Sequence, residues 1–289
     1  SRLQLTRAFE VIGNHAPRLI LAAGPGLSAA GVYDLGARLA NVAATGAALP
    51  LRVVLPLAGH LEARGDRGRL DALLGRTTGY VALLALGPVV AILLAGDLLL
   101  VAWTGHPAPA GAATTARLAA AALTLTLIAS PFRLALRAVG KVGLEATATA
   151  AATGTLVLLA WPLSARHGAA GVACAGIGGA LAGGLVLLGG VTRARADMVS
   201  PRAAIVAAGR GALAAILAVA AGLVLLTLFP APAVATRGAA LAQAALVLPA
   251  AMLVFLVAAI LTGALGAREA ALVREALGRE PRGGREAAS

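Results

Sequence analysis

Residues 31–56 read GVYDLGARLANVAATGAALPLRVVLP, a run long and apolar enough to cross a bilayer as a helix, yet it carries Asp34, Arg38 and Arg52. Spacings of +4, +3, +4 and +7 link Asp34, Arg38, Asn41, Thr45 and Arg52. At about 100° per residue these positions fall on one narrow stripe of a helix. The preceding segment repeats the pattern, with Arg7, Glu10, Asn14 and Arg18 spaced +3, +4 and +4. Ionisable groups at membrane depth face protein or water rather than lipid. Two neighbouring helices with one polar line each therefore predict a wet cavity that they border. The candidate cavity residues are Arg18, Arg38, Arg52, Asn14 and Asn41, and the acids Glu10 and Asp34 are candidates for ion coupling. Two roles stand open for Arg38 and Arg52, holding a ligand or reaching outward to interfacial water. Asp34 and Arg38 are also spaced for an i,i+4 ion pair.

The rest of the chain explains why those charges stand out. Its 289 residues are 60% hydrophobic and 12% charged, with a mean hydropathy of +0.89. A soluble domain has no means of hiding that much apolar surface. The charge-free runs 77–96, 146–165, 168–192, 211–236 and 238–267 each reach the ~20 residues a transmembrane helix needs. None alternates apolar with polar residues, which excludes an outer-membrane barrel. The net charge of +12 is spread over several loops, with aromatics at only 3%, so a nucleic-acid surface is excluded as well. The sole cysteine, Cys174, lies inside an apolar run and reads as a packing residue.

Hydrophobic runs and turn signals predict helices over 5–27, 31–60, 77–104, 114–133, 143–164, 168–192, 203–229 and 237–267. The turns fall at GPG (24–26), GHPAPAG (105–111), RHG (166–168) and PAP (230–232). Arginines concentrate at the N-terminus, in the 61–76, 133–145 and 193–210 loops and in the tail. The intervening loops hold only Arg117, Arg166 and Arg237. By the positive-inside rule this alternation predicts a multi-pass protein of the cell inner (plasma) membrane with both termini cytoplasmic. Trp103, Trp161 and Phe229 fall at predicted outer helix ends, where an interfacial belt belongs. Pro50 and Pro56 invite a bend in the second helix. Gly179 and Gly183 form a small-xxx-small face for close helix packing.

Catalytic and cofactor motifs are lacking. GPGLSAAG (24–31) has no strand–loop–helix context for phosphate, and Gly140-Lys141 lacks the flanking residues of a nucleotide-binding loop. His15, His60, His106 and His167 have no metal-ligand spacing. No cofactor or metal and no enzymatic activity are expected. A membrane glycosyltransferase would want acids in an extracytoplasmic loop, where this chain has only Asp34 and Asp97 near helix ends.

The segment 31–103, GVYDLGARLANVAATGAALPLRVVLPLAGHLEARGDRGRLDALLGRTTGYVALLALGPVVAILLAGDLLLVAW, resembles polysaccharide (lipid-linked oligosaccharide) flippases of the multidrug/oligosaccharidyl-lipid/polysaccharide exporter superfamily. The resemblance rests on Gly31, Tyr33, Arg38-Leu39-Ala40, Pro56, the charged 61–76 loop and RHGAAGVACAGIGGALAGG at 166–184. It implies an all-α integral membrane protein of about eight transmembrane helices, like the second lobe of a 14-helix flippase. Residues 1–195 would form a six-helix lobe, 196–267 two additional transmembrane helices, and 268–289 a disordered cytoplasmic tail. The missing partner would be an N-terminal lobe of the same protein, an expectation that fits an opening on Ser1. The implied cargo is a polyprenyl-diphosphate-linked glycan, moved across the membrane by alternating access, with Arg18, Arg38 and Arg52 against the diphosphate. Membrane lipids, and no nucleic acid, complete the expected partners. The alternatives are a small-molecule cation or drug exporter of the same superfamily, a membrane glycosyltransferase and a non-catalytic scaffold.

Overall fold

A computed structural model gives the fold and describes residues 2–65, 67–138, 140–194, 201–228 and 237–264. Among these residues α-helix is the one regular secondary structure, joined by short turns. In order run α1 (Arg2–Ala23), α2 (Leu27–Ala63), α3 (Arg67–Thr104), α4 (Ala112–Ile128), α5 (Ser130–Ala138), α6 (Val142–Ala194), α7 (Pro201–Leu228) and α8 (Arg237–Leu261). Four stretches are long and apolar enough to cross a membrane by length and composition: Gly68–Thr104, Ala112–Leu134, Val142–Gly190 and Arg237–Leu261. α1 and α2, which carry the polar stripes, are the less apolar of the long helices.

The 53 residues of α6 are two crossings rather than one. The chain reverses at Gly168 (φ 55°, ψ −131°), a backbone conformation that a Cβ disfavours. Beyond that point each step forward meets an earlier residue of the first arm. A Cβ added at Gly179 would lie 2.6 Å from the Ala152 carbonyl oxygen, and one at Gly183 would lie 2.8 Å from Ala152 Cβ. One at Gly190 would lie 3.3 Å from the Leu144 side chain. The arms are therefore antiparallel and in backbone contact, as the Gly179–Gly183 face and the RHG turn predict. With these arms counted separately and α4 joined to α5, the chain is an all-α integral membrane protein of about eight transmembrane helices.

α2 has two opposed faces. Gly36, Ala40 and Ala47 are buried, while Asp34, Arg38 and Asn41 occupy the other side. A Cβ on Gly36 would lie 2.8 Å from the Ala116 amide nitrogen, so α2 and α4 touch backbone to backbone. α3 is central. Val89 and Ile92 pack on Ala40, Ala116 and Ala120, and Val90 and Leu94 pack on Ala214, Ala218 and Phe255 of α7 and α8. α3 bends at Ala95 (φ −121°, ψ 22°), which opens its hydrogen-bond ladder. Arg117 from α4 enters the gap, donating from Nε to the Leu93 carbonyl at 3.1 Å and from Nη2 to Asp97 at 2.8 Å.

Three basic segments read as loops from sequence are largely helical. α3 starts at Arg67 because Leu70 and Leu74, one turn apart, bury against Ala58 of α2. In place of the 133–145 loop, α5 runs to Ala138 and α6 starts at Val142. Phe132 and Leu136 hold α5 down on Ala148 and Leu187. Pro131 has no N–H to offer the Leu127 carbonyl, and the Ser130 hydroxyl donates to it instead. In the 193–210 segment, α7 begins at Pro201 and residues 195–200 lie outside the described residues. Phe229, the PAP turn and the 268–289 tail also lie outside them. α2 stays helical across Pro50 and Pro56.

Candidate substrate cavity

The tight turn at Gly26 (φ 105°) folds α1 back along α2 and brings their polar stripes together. Asp34 accepts hydrogen bonds from Arg18 Nε at 2.7 Å and from Arg38 Nε at 3.1 Å, and both guanidiniums add an Nη2 contact. The i,i+4 pair expected on α2 is thus present, and Arg18 joins it from the neighbouring helix. The Asp34 side chain is 25% exposed, Arg18 48% and Arg38 67%, so each pair alone contributes at most about 1 kcal/mol. The geometric consequence is larger. One carboxylate orients two guanidiniums, and Arg38 keeps most of its surface open. Asn41 donates its amide to the Ala37 carbonyl and Thr45 its hydroxyl to the Asn41 carbonyl. Thr45 thereby spends its donor within its own helix.

Inside the ring of α1, α2, α4 and α6 lies a cavity of about 550 Å³. Glu10, Asn14 and Arg18 line it from α1, Tyr33 and Asn41 from α2, Thr126 from α4, Arg133 from α5, and Thr149 and Thr153 from α6. Its remaining walls are mostly alanine and glycine. α1 is fixed to this wall where the Thr153 hydroxyl donates to the Phe9 carbonyl at 3.1 Å, beside Gly13. Four of the seven sequence candidates, Glu10, Asn14, Arg18 and Asn41, meet in this cavity, and Asp34 joins it through Arg18. Arg38 pairs with Asp34 but is not part of the lining. The Arg52 side chain lies outside the described residues.

The sequence reading passed over the cationic end of this cavity. Arg133 reaches the lining from α5, and its buried Nε has no hydrogen-bond partner. One turn on, Arg137 donates from Nε to both carboxylate oxygens of Glu145 at 2.8 and 2.9 Å, and Nη2 adds a third contact. Glu145 is 1% exposed, so a buried acid is neutralised by a partner reaching in from the surface. The helical spacing of Ala119, Ala122, Thr126 and Arg133 was the available signal, because it continues one face of α4 into α5. Among the described residues no cluster of His, Cys, Asp and Glu could hold a metal ion.

The described helices build a helical membrane fold with a polar interior bordered by its first two helices. A solved structure similar to this chain is "Lipid II flippase MurJ, inward closed conformation", with a TM-score of 0.63 and 13% sequence identity. The match covers 91% of this chain and 52% of that one, so the chain spans about half the length of the structure it resembles. At that identity the likeness speaks to the fold. No family model matches the chain, and no curated protein matches it.

Proposed function

We propose that the chain is one lobe of a flippase that moves a lipid-linked oligosaccharide or polysaccharide precursor across the inner membrane by alternating access. The observation that carries this reading is the Arg18–Asp34–Arg38 cluster, set in a fold otherwise made of apolar helices and similar to that of a lipid II flippase. A lipid carrier of this class presents a diphosphate, and a guanidinium fork offers two parallel N–H donors to such oxygens. Asp34 fixes the two arginines without neutralising both, which leaves net positive charge beside Asn14 and Asn41. Arg52 belongs to the same stripe by its spacing in the sequence. Glu10 and Asp34 are the acids available to couple transport to an ion gradient. Termini on the cytoplasmic side and a second lobe opposite the α1–α2 face complete the proposed arrangement.

The test is translocation in the full-length protein, read as exposure of the lipid-linked sugar on the outer face. Arg38→Ala combined with Arg52→Ala is expected to lower it at least about tenfold, the loss of one to two charge-assisted hydrogen bonds. Unaltered translocation in the double variant would sink the diphosphate role.

A further inference from the structure

We propose that the cavity inside the helix ring holds a second oxyanion site anchored by Arg133, separate from the Asp34-bound arginines. The argument starts from which charges already have partners. Arg18 and Arg38 share Asp34, Arg137 and Glu145 satisfy each other, and Arg117 is taken by Asp97 and the Leu93 carbonyl. Among the cavity-lining residues this leaves Arg133 and Glu10.

Arg133 lies within electrostatic range of Glu145, Glu10 and Arg137, yet no ion pair within 4.0 Å joins it to either acid among the described residues. Its Nε–H is removed from solvent and unmatched. A largely desolvated guanidinium without an acceptor is a costly state, and an oxyanion drawn to the part of the side chain that lines the cavity offsets it. Alanine and glycine make up most of the rest of the lining, which leaves room for such a group. Asn14, at the same cavity, adds an amide donor. A volume of about 550 Å³ lies within the ~300–1,000 Å³ range of small-molecule sites. The chemistry defined is a phosphate or carboxylate group, borne either by a lipid headgroup or by a soluble or cargo-borne acid. The site stands on its own geometry and does not depend on what the protein carries.

The experiment is titration calorimetry of the full chain in phosphatidylcholine nanodiscs, with inorganic phosphate and with glucuronate as probes. Wild type is expected to bind one equivalent of at least one probe saturably. Arg133→Gln should weaken that binding at least about tenfold, the loss of charge-assisted hydrogen bonds, while Arg166→Gln, exposed and outside the cavity lining, should stay within about twofold. Arg133→Lys keeps the charge and lacks the fork, so it supplies the contrast if the Gln variant does not fold, and it should bind several-fold more weakly than wild type. Glu10→Gln, which removes a repelling carboxylate, should bind at least as tightly as wild type. Including phosphatidic acid in the discs separates the sources. Suppression of probe binding identifies the lipid phosphate as occupant, and unchanged binding identifies a soluble or cargo-borne acid. Absence of saturable binding by wild type, binding by both Arg133 variants equal to wild type, or loss of binding in Arg166→Gln or Glu10→Gln overturns the site. None of these readouts requires translocation, so failure here is distinct from failure of the flippase reading.

Discussion

Glu145 and Arg137 show how unequal the two halves of an ion pair can be. Glu145 is 1% exposed whereas Arg137 is 39% exposed. Removing the arginine strands a buried carboxylate, but removing the acid leaves a guanidinium that can swing to water. Breaking a buried pair from one side costs on the order of 3–5 kcal/mol when the remaining charge has no escape. Arg137→Ala is therefore expected to destabilise by about 3 kcal/mol, toward the low end because the pair is only partly enclosed. Glu145→Gln should cost about half that, and Arg137→Met with Glu145→Leu should recover most of the loss. Denaturation of the purified protein in mixed micelles, run as a double-mutant cycle, measures all three. Equal losses from the two single variants would contradict the burial asymmetry. At this scale the sequence was only partly legible. The polar stripes of α1 and α2 could be read because helical periodicity sorts residues whatever they contact. Arg133 and Arg137 could not, because counting arginines by the positive-inside rule treats every basic residue near a span as loop. Here Phe132 and Leu136 bury the same turn that carries the arginines, and the segment becomes helix.

At the scale of the element, the hairpin of α6 depends on residues that have no side chain. Gly179 sits where a Cβ would be 2.6 Å from the Ala152 carbonyl oxygen, whereas at Gly184 a Cβ meets nothing within 4 Å. Gly179→Ala must push the two arms apart and should destabilise by about 1–3 kcal/mol, as overpacking does. Gly184→Ala should be neutral or should stabilise by up to about 1 kcal/mol, since alanine is the better helix former. Thermal unfolding of both variants in one detergent reads the difference, and a Gly184 variant as damaged as the Gly179 variant would mean that the arms do not meet where described. The turn at 166–168 and the small-residue face were both legible, because glycine leaves a local signature. The bend of α3 at Ala95 was not. Gly96 directly follows the bend, but a lone glycine inside an apolar run is ordinarily tolerated in a helix and does not by itself mark one. The bend is accommodated by Arg117 from another helix, a tertiary partner that no window of α3 contains.

For the whole molecule, the helix ends sort into two sets. The α2–α3 connection is marked by Leu70 and Leu74 against Ala58, and the opposite ends of the same helices by Leu100 beside Val32, Leu35 and Ala112. α7 runs alongside α3 in the same direction, with Gly211 near Leu86 and Ala214 and Ala218 near Val90 and Leu94. α8 returns antiparallel, placing Ala240 against Leu98 and Val101. Arg210, in the first half of α7, donates from Nη1 to the Gly263 carbonyl just beyond the end of α8, which ties these two stretches to one level. The described connecting residues 64–65 and 140–141 thus lie at one end of the bundle, and those at 24–26 and 105–111 at the other. The arginine-rich side is proposed to be cytoplasmic, because cytoplasmic loops retain Lys and Arg during insertion. Cys174 is the sole cysteine, so Cys174→Ala gives a background in which single cysteines report sidedness. Arg64→Cys is expected to react with a membrane-impermeant maleimide only in inside-out vesicles. Pro25→Cys and His106→Cys should react only in right-side-out vesicles. Labelling of position 64 and position 25 from the same face would mean that α2 does not cross the membrane, and would overturn the spanning helix that carries Asp34 and Arg38. A clean reversal of all three would keep the fold and invert only the orientation, so the assay separates the packing from the proposed placement in the membrane.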